Sequence, residues 1–407
     1  ASKMTCYRNY PVAFLASMLC LALTFERTFS LNAIVVGGSG RVGGSTVRWL
    51  RTLADRENFD LIVSVGGRSE KSYETAKQKG VIPAQGVNFV PIDVEWSDEK
   101  IIDVIKGCGI VVHTGGPFQG RTDPALLRCC LKQGVPYVDV CDEWDLAVAS
   151  KKYQDDATEN GVAAIVSSGI WPGVSALMAA EAVARLGKRE GTDQKTCESL
   201  DFSFFTAGTG NAGPTIVSAT FLLLATPVIT YLNGKKTEKE PWTEQRSVDF
   251  GPSIGTKPVW LLDNPDVPTT ATTLKIPRVS SRFGTDPLFW NYLFGAMKAI
   301  PRSLLYNRDA MQGFALFSEP IIRLVDKLVG ATNAMRVDAT ARDGEVVTMR
   351  IAHPDLEQCV GLATAAFALE VLRGTVPPGV WFPAELPEEP RSNILLAAKE
   401  DAFVYEV

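Results

Sequence analysis

A glycine-rich sequence that directly follows a short apolar run restricts the fold of this chain more than any other feature. The apolar run covers residues 31–36, and the sequence GGSGRVGG occupies residues 37–44. Beyond the glycines, apolar residues recur at the intervals of one helix face. A strand, a glycine turn and a helix in this order predict a dinucleotide-binding unit, and the alternative is a purely structural turn.

Each glycine of this sequence has a distinct physical role in the nucleotide-binding interpretation. Gly38 permits the tight turn, Gly40 lets the backbone approach a pyrophosphate, and Gly43 lets the helix pack closely on the strand. The pyrophosphate then lies at the helix N-terminus, where free N–H groups favour an anion. The residues that we expect to contact the cofactor here are Gly38, Ser39, Gly40, Arg41, Val42 and Gly43.

The end of the next strand indicates which dinucleotide is bound. Residues 61–65 form an apolar run that leads into Gly66, Gly67, Arg68 and Ser69, with no carboxylate at the strand end. An acidic residue there would bind the ribose 2′-hydroxyl of NAD. Arg68 instead offers a planar fork to a 2′-phosphate, with Ser69 as a second donor. The sequence therefore favours NADP over NAD, although a solvated surface arginine is the alternative.

Strand and helix patterns continue to alternate as far as residue 166. This alternation predicts an α/β fold, a Rossmann-type doubly wound parallel sheet, with a second α+β domain after it. We expect four segments: a targeting or anchor segment at 1–31, an NAD(P)-binding Rossmann domain at 32–190, an α+β substrate or dimerisation domain at 191–353, and a C-terminal helix and tail at 354–407 that packs back on the first domain.

Composition excludes several classes of function. The chain has 41 Lys and Arg against 46 Asp and Glu, so it lacks the basic excess of a nucleic-acid-binding protein. With 2 His and no C-x-x-C pair among 8 Cys, it cannot build a His-rich or zinc-ribbon metal site, and we predict no metal. The chemistry is therefore expected from carboxylates, backbone groups and a bound cofactor.

Several motifs together resemble the saccharopine dehydrogenase family. They are VVHTGGPF at 111–118, LLRCCLKQGVPYVDVCDE at 126–143, SGIWPGV at 168–174 and TAGTGNAGPT at 206–215, beside the glycine sequence at 37–44. The C-terminal pattern GVWFP at 379–383, with Glu385, is similar to saccharopine dehydrogenase-like proteins of plants, algae and cyanobacteria. The resemblance implies an enzyme that uses NAD(P) to make or break a C–N bond between amino acids, or to reduce an imine.

The resemblance also implies where the nicotinamide lies. In the family this ring lies near the loop after the fourth strand, which here contains Gly115, Gly116, Pro117 and Phe118. The two glycines permit a close backbone approach, and Phe118 would give the ring an apolar wall. A loop that merely packs is the alternative.

Four side chains near the strand ends are the candidates for catalysis. His113 is either a proton donor or a core histidine whose nitrogens are satisfied by backbone groups. Asp139, Asp142 and Glu143 cluster at the end of another strand, where one of them could act as an acid or base. Asp142 or Glu143 could equally cap the helix that begins near residue 144.

The candidates for substrate contact are weaker. Trp171, Pro172 and Gly173 open a helix on the ligand side, and Asn211 lies in a glycine-rich loop of the second domain. A dicarboxylic amino acid would also need cationic clamps. Three arginines, Arg278, Arg282 and Arg302, could serve in this way, or they could be ordinary surface charges.

Two apolar stretches raise the question of location. Residues 10–25 form an apolar run after a basic start, which predicts a targeting segment, plastid-directed in view of the resemblance, with secretory entry or a membrane anchor as alternatives. Residues 216–232 contain Pro227 and are expected to form a buried helix. Peripheral membrane or large-complex association and a homodimer are the expected partnerships beside a small-molecule substrate.

The leading hypothesis from the sequence is an NADP-dependent oxidoreductase that acts on an amino acid, an imine or a related carbonyl compound. Its rival is a non-catalytic dinucleotide-binding scaffold or sensor that is associated with a membrane or a larger assembly. The glycine sequence, Arg68 and the family resemblance favour the first. The two apolar stretches favour the second.

Overall fold

A computed structural model describes residues 31–188, 196–208, 222–305 and 307–407. Its first lobe is a sheet of seven parallel strands in the order β15-β6-β5-β4-β1-β2-β3. These strands are β1 (Leu31–Val36), β2 (Leu61–Gly67), β3 (Asn88–Pro91), β4 (Ile110–His113), β5 (Tyr137–Asp139), β6 (Ala163–Ile165) and β15 (Gly379–Trp381). The helices that connect them are α1 (Arg41–Arg56), α2 (Glu70–Gln78), α3 (Asp98–Ile105), α4 (Ala125–Gln133), α5 (Trp144–Lys151) and α6 (Gln154–Glu159).

The second lobe is built on a mixed sheet of nine strands. Its strands are β7 (Cys197–Ala207), β8 (Val228–Leu232), β9 (Lys235–Lys239), β10 (Arg246–Asp249), β11 (Thr256–Leu261), β12 (Arg278–Asp286), β13 (Thr332–Ala341), β14 (Val346–His353) and β16 (Val404–Glu406). The remaining helices are α7 (Val174–Lys188), α8 (Asp266–Thr273), α9 (Leu288–Met297), α10 (Arg302–Leu305), α11 (Arg308–Val329), α12 (Leu356–Leu372) and α13 (Glu388–Ala397). The two sheets confirm the predicted Rossmann-type doubly wound fold with a second α+β domain.

Strand order in the first sheet places the ligand crevice. The chain runs outward from β1 to β3 in one direction and from β4 to β6 in the other, so the order reverses between β1 and β4. Ligands of open parallel sheets bind at the carboxyl ends of the strands at such a reversal. Val36 of β1 and His113 of β4 pair at this point, and the glycine-rich loop follows β1 directly.

We predicted a buried helix for the apolar stretch at residues 216–232, but its last residues form a strand. Residues 209–221 lie outside the described residues, and the stretch ends in strand β8, which pairs with β9 as a hairpin. Asn233 and Gly234 connect the two strands with φ angles of 53° and 74°. A two-residue turn with both φ angles positive matches the twist of a hairpin, and Asn-Gly is its preferred sequence.

The boundaries between the segments depend on contacts between distant parts of the chain, which the spacing of residues in the sequence did not reveal. Helix α7 lies before the predicted boundary at residue 190, yet it packs on β13 and β14 of the second sheet. The C-terminal segment 354–407 contributes to both lobes, because β15 extends the first sheet and β16 pairs with β14 in the second. Within the described residues, no helix is both long and apolar enough to cross a bilayer. The predicted targeting segment at 1–31 lies outside the described residues except for its last residue.

The pattern GVWFP with Glu385 closes an edge of the first sheet. Strand β15 pairs with β6 in parallel, and Glu385 Oε2 accepts the backbone N–H of Phe382 at 2.8 Å. Lys151 Nζ donates to the same carboxylate oxygen at 2.6 Å and to the carbonyl of Val380 at 2.5 Å. A lysine of the first lobe thereby fixes the C-terminal strand on the sheet.

Helix α12 is buried on nearly all sides, which distinguishes it from the amphipathic helices around it. It packs against α1 and crosses the ends of β4, β5 and β6. At the contact with α1, Gly361 faces Ser45 so closely that a Cβ at Gly361 would overlap the serine side chain. Ser45 Oγ donates to Gln358 Oε1 of α12 at 3.1 Å. A glycine is therefore required for the approach of the two helices.

Substitution of Gly361 should separate these helices. We expect Gly361→Ala to lower the free energy of unfolding by about 1–3 kcal/mol, because the added methyl overpacks the contact with Ser45. Gly313→Ala is the matched control, since a Cβ there meets nothing within 4 Å and alanine favours the helix α11 by up to about 1 kcal/mol. Urea unfolding of both variants measures the difference. Equal effects would contradict the packing argument.

A buried carboxyl joins α8 to the start of α7. Asp266 is 0 % exposed, and its Oδ2 accepts a hydrogen bond from Ser175 Oγ at 2.5 Å. Its other oxygen has no hydrogen-bond partner in the described part of the chain. Burial raises the pKa of Asp266 to about 7, so the carboxyl is protonated more readily in the folded than in the unfolded state.

This shift predicts a definite sign of pH dependence. Because the folded pKa lies above the unfolded one, Asp266 contributes stability below the unfolded pKa and loses it as the pH rises through about 7. Relative to wild type, Asp266→Asn should therefore gain stability between pH 4 and pH 8, by at most about 4 kcal/mol. Urea unfolding at several pH values measures it. Asp55→Asn, at an exposed site, should show no such trend, and a flat difference for Asp266→Asn would contradict the shift.

Candidate functional site

The glycine-rich loop and the loop after β4 approach each other closely at the crevice. A Cβ at Gly37 would lie 2.6 Å from the Cα of Gly115, and a Cβ at Gly43 would collide with the carbonyl oxygen of Gly37. Thr114 fixes the pair of loops, since its N–H and Oγ1 both donate to the carbonyl of Val36, at 2.8 and 2.9 Å. The loops form a narrow cradle that side chains larger than hydrogen would fill.

The N-terminus of helix α1 opens into this cradle. Gly40 is the N-cap residue, no side chain caps the helix, and its first turn has no acidic residue. The backbone N–H groups and the positive end of the helix dipole are therefore available to an anion. These properties fit a dinucleotide whose pyrophosphate lies at this helix end, next to the backbone N–H groups of the first turn.

Arg41 connects the same helix end to the C-terminal segment. Its side chain is exposed in part and forms an ion pair with Glu357, a buried residue in the first turn of α12. The sequence singled out Arg41 for cofactor contact but gave no partner for it. The pairing ties the nucleotide-binding helix to α12, so the position of Arg41 depends on the C-terminal segment as well as on the first domain.

Arg68 and Ser69 lie at the end of β2, beside the cradle. Arg68 is exposed and makes no hydrogen bond or ion pair with another described residue. Ser69 is the N-cap of α2, where its Oγ accepts the N–H of Ser72 at 3.2 Å. The serine has a structural role that the sequence did not suggest, while the guanidinium is available to a ligand.

His113 lies behind the crevice in a buried polar chain. Its Nδ1 lies 3.1 Å from the hydroxyl of Tyr137, and its Nε2 has no hydrogen-bond partner within the described ranges. Burial, together with the charge of Arg121, lowers the pKa of His113 to about 4. At neutral pH the ring is therefore uncharged, and one of its two nitrogens has a hydrogen-bond partner in the described structure. Tyr137, its partner, was not recognised from the sequence.

Asp139 connects the loops that follow β5 and β6. Its Oδ1 accepts the N–H groups of Ser167 at 2.8 Å and of Cys141 at 3.0 Å. Burial raises the pKa of Asp139 to about 6, although both N–H groups oppose this shift. With His113 and Tyr137 it borders a small cavity of about 20 Å³, separate from the larger cleft described below. The structure thus places Asp139 among the supports of the site.

Phe118 does not present its ring to the crevice. It is 4 % exposed and packs against Cys141 and Leu146, with its ring centroid 5.0 Å from that of His113. The apolar wall that the sequence assigned to this residue faces the interior of the first lobe. Gly116 and Pro117, in contrast, are exposed at the loop surface, and Gly115 is half-buried beside the cradle.

A cleft of about 350 Å³ lies between the lobes at the carboxyl ends of β4, β5 and β6. From the first lobe, Asp142 and Glu143 line it. Gln119 Nε2 donates to Asp142 Oδ2 at 2.8 Å, and Gly120 N–H donates to Glu143 Oε2 at 3.0 Å. Glu143 holds the N-cap position of α5, but its side chain does not cap the helix. The carboxylate of Glu143 instead accepts the N–H of Gly120 in the loop after β4. The alternative in which Asp142 or Glu143 caps the helix is therefore wrong.

Asp263 completes the acidic lining from the second lobe. It follows β11, lines the same cleft, and its Oδ1 accepts the N–H of Ile229 at 2.8 Å. Desolvation in the cleft, together with the charge of Glu143, raises the pKa of Asp142 and of Asp263 to about 6, although Asp142 keeps an exposed surface. The sequence analysis missed Asp263. The only signal for it in the sequence was its position directly after the apolar run 259–262.

The predicted substrate residues separate into two groups. Trp171 and Pro172 line the cleft, and the ring centroid of Trp171 lies 4.9 Å from that of Phe204. Gly173 has a φ of 138° and lies so close to Gly169 that no larger residue fits, so its role is to form the turn before α7. Asn211 lies outside the described residues.

The arginines considered as clamps lie elsewhere. Ser281 and Phe283 of β12 line the cleft, so Arg282 between them points to the other face of the sheet. There it is 2 % exposed and pairs with Asp201 and Glu244. Arg278 pairs with Glu198 at 3.6 Å. The side chain of Arg302 lies outside what the structure describes.

Comparisons with known proteins agree with this geometry. The family model described as the saccharopine dehydrogenase NADP binding domain matches residues 33–165. Apo saccharopine dehydrogenase (L-Glu forming) from Saccharomyces cerevisiae is 15 % identical and superposes with a TM-score of 0.62 over 93 % of this chain and 99 % of that one. A probable dehydrogenase from Thermotoga maritima is 11 % identical, with a TM-score of 0.40 over 90 % of this chain and 94 % of that one. A search of curated sequences finds no match.

At 15 % identity, the likeness to the yeast enzyme shows a shared fold over both lobes and no more than that. The family model adds the cofactor, since the domain that contains the cradle is an NADP-binding one. Residues 33–165 accordingly match an NADP-binding domain of the saccharopine dehydrogenase type, and the protein is an NADP-binding oxidoreductase.

Proposed function

We propose that this oxidoreductase transfers a hydride between NADP and the C–N centre of an amino acid or imine, or a related carbonyl carbon. The observation that supports the proposal is the position of the cleft. Its first-lobe walls are the loops that follow β4, β5 and β6, on the side of the sheet where the glycine cradle lies. A substrate in the cleft would therefore lie next to the nicotinamide end of the crevice.

When bound, NADP supplies or accepts the hydride. The protein has three other tasks. The N–H groups at the start of α1 bind and orient the phosphates, as the cradle geometry allows. The aromatic residues Trp144, Trp171 and Phe204 exclude water from the cleft. A proton must also reach the substrate nitrogen or oxygen when its carbon is reduced.

Asp142 is the side chain best suited to move this proton. Its carboxyl lines the cleft at the end of β5, and Gln119 holds one of its oxygens. The surrounding protein raises the pKa of Asp142 to about 6. A pKa near the working pH lets one carboxyl both hold and release a proton efficiently. His113 and Asp139 do not line the cleft and would act only through the loops that they support.

The proposal is tested by NADPH binding and by turnover. We expect saturable binding by NADPH fluorescence and oxidation of NADPH with members of a panel of cyclic imines, 2-oxo acids with ammonia, and ketones. Asp142→Asn should lower kcat by about 10²–10⁴-fold, because the proton transfer is lost. The affinity for NADPH should not change. Asp145→Asn, an exposed neighbour on α5, is the control.

Two results would change this conclusion. Absence of saturable NADPH binding would contradict it outright. Tight NADPH binding without turnover over the whole panel would favour the rival hypothesis of a non-catalytic dinucleotide-binding scaffold or sensor.

Arg68 is proposed to recognise the 2′-phosphate of NADP. It is exposed at the end of β2, and charge-assisted hydrogen bonds from a guanidinium to a phosphate are each about 1.5–3 kcal/mol. We expect Arg68→Ala to weaken NADPH binding by about 10–100-fold and NADH binding by much less. Titrations of both cofactors measure this, with Arg342→Ala, an exposed arginine of the second lobe, as control. An equal loss for both cofactors would refute the assignment.

A further inference from the structure

Three carboxylates line the cleft, and no lysine or arginine of the described residues lines it with them. Asp142, Glu143 and Asp263 all line it, and they accept hydrogen bonds from the neutral donors Gln119, Gly120 and Ile229 at 2.8 to 3.0 Å. None of the three forms an ion pair with a lysine or arginine among the described residues. Three negative charges from two lobes repel one another in a confined space, and that repulsion is relieved by a positive charge between them.

Nearby charges outside the cleft do not supply this cation. Lys236, on the exposed strand β9, lowers the pKa of Asp263, but the acidic Glu238 on the same strand opposes it. Neither residue lines the cleft. Arg278 and Arg282 are paired elsewhere, as described above. Residues 209–221, which precede the cleft residue Leu222 in the chain, include no charged residue in their sequence.

A second, independent feature of the cleft indicates a ligand. Ser281 is 1 % exposed, and its Oγ has no hydrogen-bond partner among the described residues. It lines the cleft beside Phe283, on the face of β12 opposite to Arg282. A buried hydroxyl without a partner costs about 1–3 kcal/mol, and a polar ligand group in the cleft would remove this cost.

The remaining walls are apolar and aromatic. Trp144, Trp171, Phe204 and Phe283 line the cleft together with leucine side chains. Aromatic faces attract cations electrostatically and bury apolar groups. The chemistry of the cleft thus combines a negative end with an aromatic interior, which suits a positively charged nitrogen on an apolar body.

We infer that the cleft binds a substrate with a cationic nitrogen, an ammonium or iminium group, on an apolar body, and that it discriminates against carboxylate-rich substrates. Asp263 and Glu143 recognise the cation, and Ser281 offers a hydroxyl to the polar end. This inference rests on the proposed function in one respect, since it narrows the substrate class of the same cleft. It concerns binding, so it can be tested without a turnover assay.

Three probes share a phenylethyl body and differ in the head group: 2-phenylethylamine, its neutral isostere 2-phenylethanol, and the anion 3-phenylpropionate. Their affinities for the full chain are measured by ligand-observed NMR titration at pH 8, with and without saturating NADP. We expect the amine to bind at least about tenfold more tightly than the alcohol, and the carboxylate more weakly than both. Equal affinities, or tighter binding of the carboxylate, would overturn the inference.

Variants locate the effect in the cleft. Asp263→Asn should reduce the preference for the amine over the alcohol by about tenfold and leave the affinity for the alcohol unchanged. Ser281→Ala should weaken both neutral and cationic probes. Asp155→Asn removes an exposed carboxylate of α6 and should change nothing. Glu143→Gln serves as a second charge-removing variant if Asp263→Asn does not fold. An amine preference that survives both charge removals would contradict the assignment.

The outcomes for the two proposals can be distinguished. A preference for the amine in a protein that binds no NADPH would refute the proposed function and leave the charge selectivity intact. NADPH turnover with a preference for 3-phenylpropionate would refute only the charge selectivity.

Discussion

The close packing of α12 on α1, through Gly361 and Ser45, is the contact on which the site depends. Helix α1 provides the phosphate-binding N-terminus, and α12 is attached to it at Arg41 through Glu357. The same helix reaches the loop after β6, because Thr364 Oγ1 donates to the carbonyl of Ser168 at 3.2 Å. One buried helix from the end of the chain therefore sets both the cofactor end and the substrate end of the crevice. Because protein interiors are close-packed, a cavity or an added methyl group in this interface shifts both the cofactor end and the substrate end of the crevice.

Local features of the site were predictable from the sequence because their causes are local. A glycine cradle after a strand requires particular backbone angles, and the glycines that meet this need are visible in the sequence itself. The absence of a carboxylate after β2 was equally visible, and the family model agrees with NADP. The placement of Asp142 and Glu143 at the ligand side followed from the rule that ligands bind at the carboxyl ends of parallel strands.

Features that depend on distant parts of the chain were not predictable in this way. Asp263 joins Asp142 and Glu143 only because the second lobe folds over the first, and no spacing within the sequence records that contact. The same holds for Glu357 as the partner of Arg41. Phe118 was an error of a different kind. It lies in the loop that we expected at the crevice, but its side chain packs in the interior against Cys141. The hairpin of β8 and β9 was a different miss, because Asn233 and Gly234 gave a local signal that the apolar run before them obscured.

The fold of this protein does not determine its substrate, because the charge of the side chains in the cleft decides which substrate can bind. Sharing a fold with an L-Glu-forming saccharopine dehydrogenase does not transfer a substrate, because recognition depends on side chains in the cleft. A dicarboxylic substrate needs fixed cations. The two arginines of β12 do not provide them in the described structure, because Arg278 pairs with Glu198 and Arg282 pairs with Asp201 and Glu244. Three carboxylates, Asp142, Glu143 and Asp263, line the cleft. Because alternate residues of β12 face opposite sides of the sheet, no change of rotamer brings Arg282 into the cleft, and the selectivity for positive charge is built into the register of the strand.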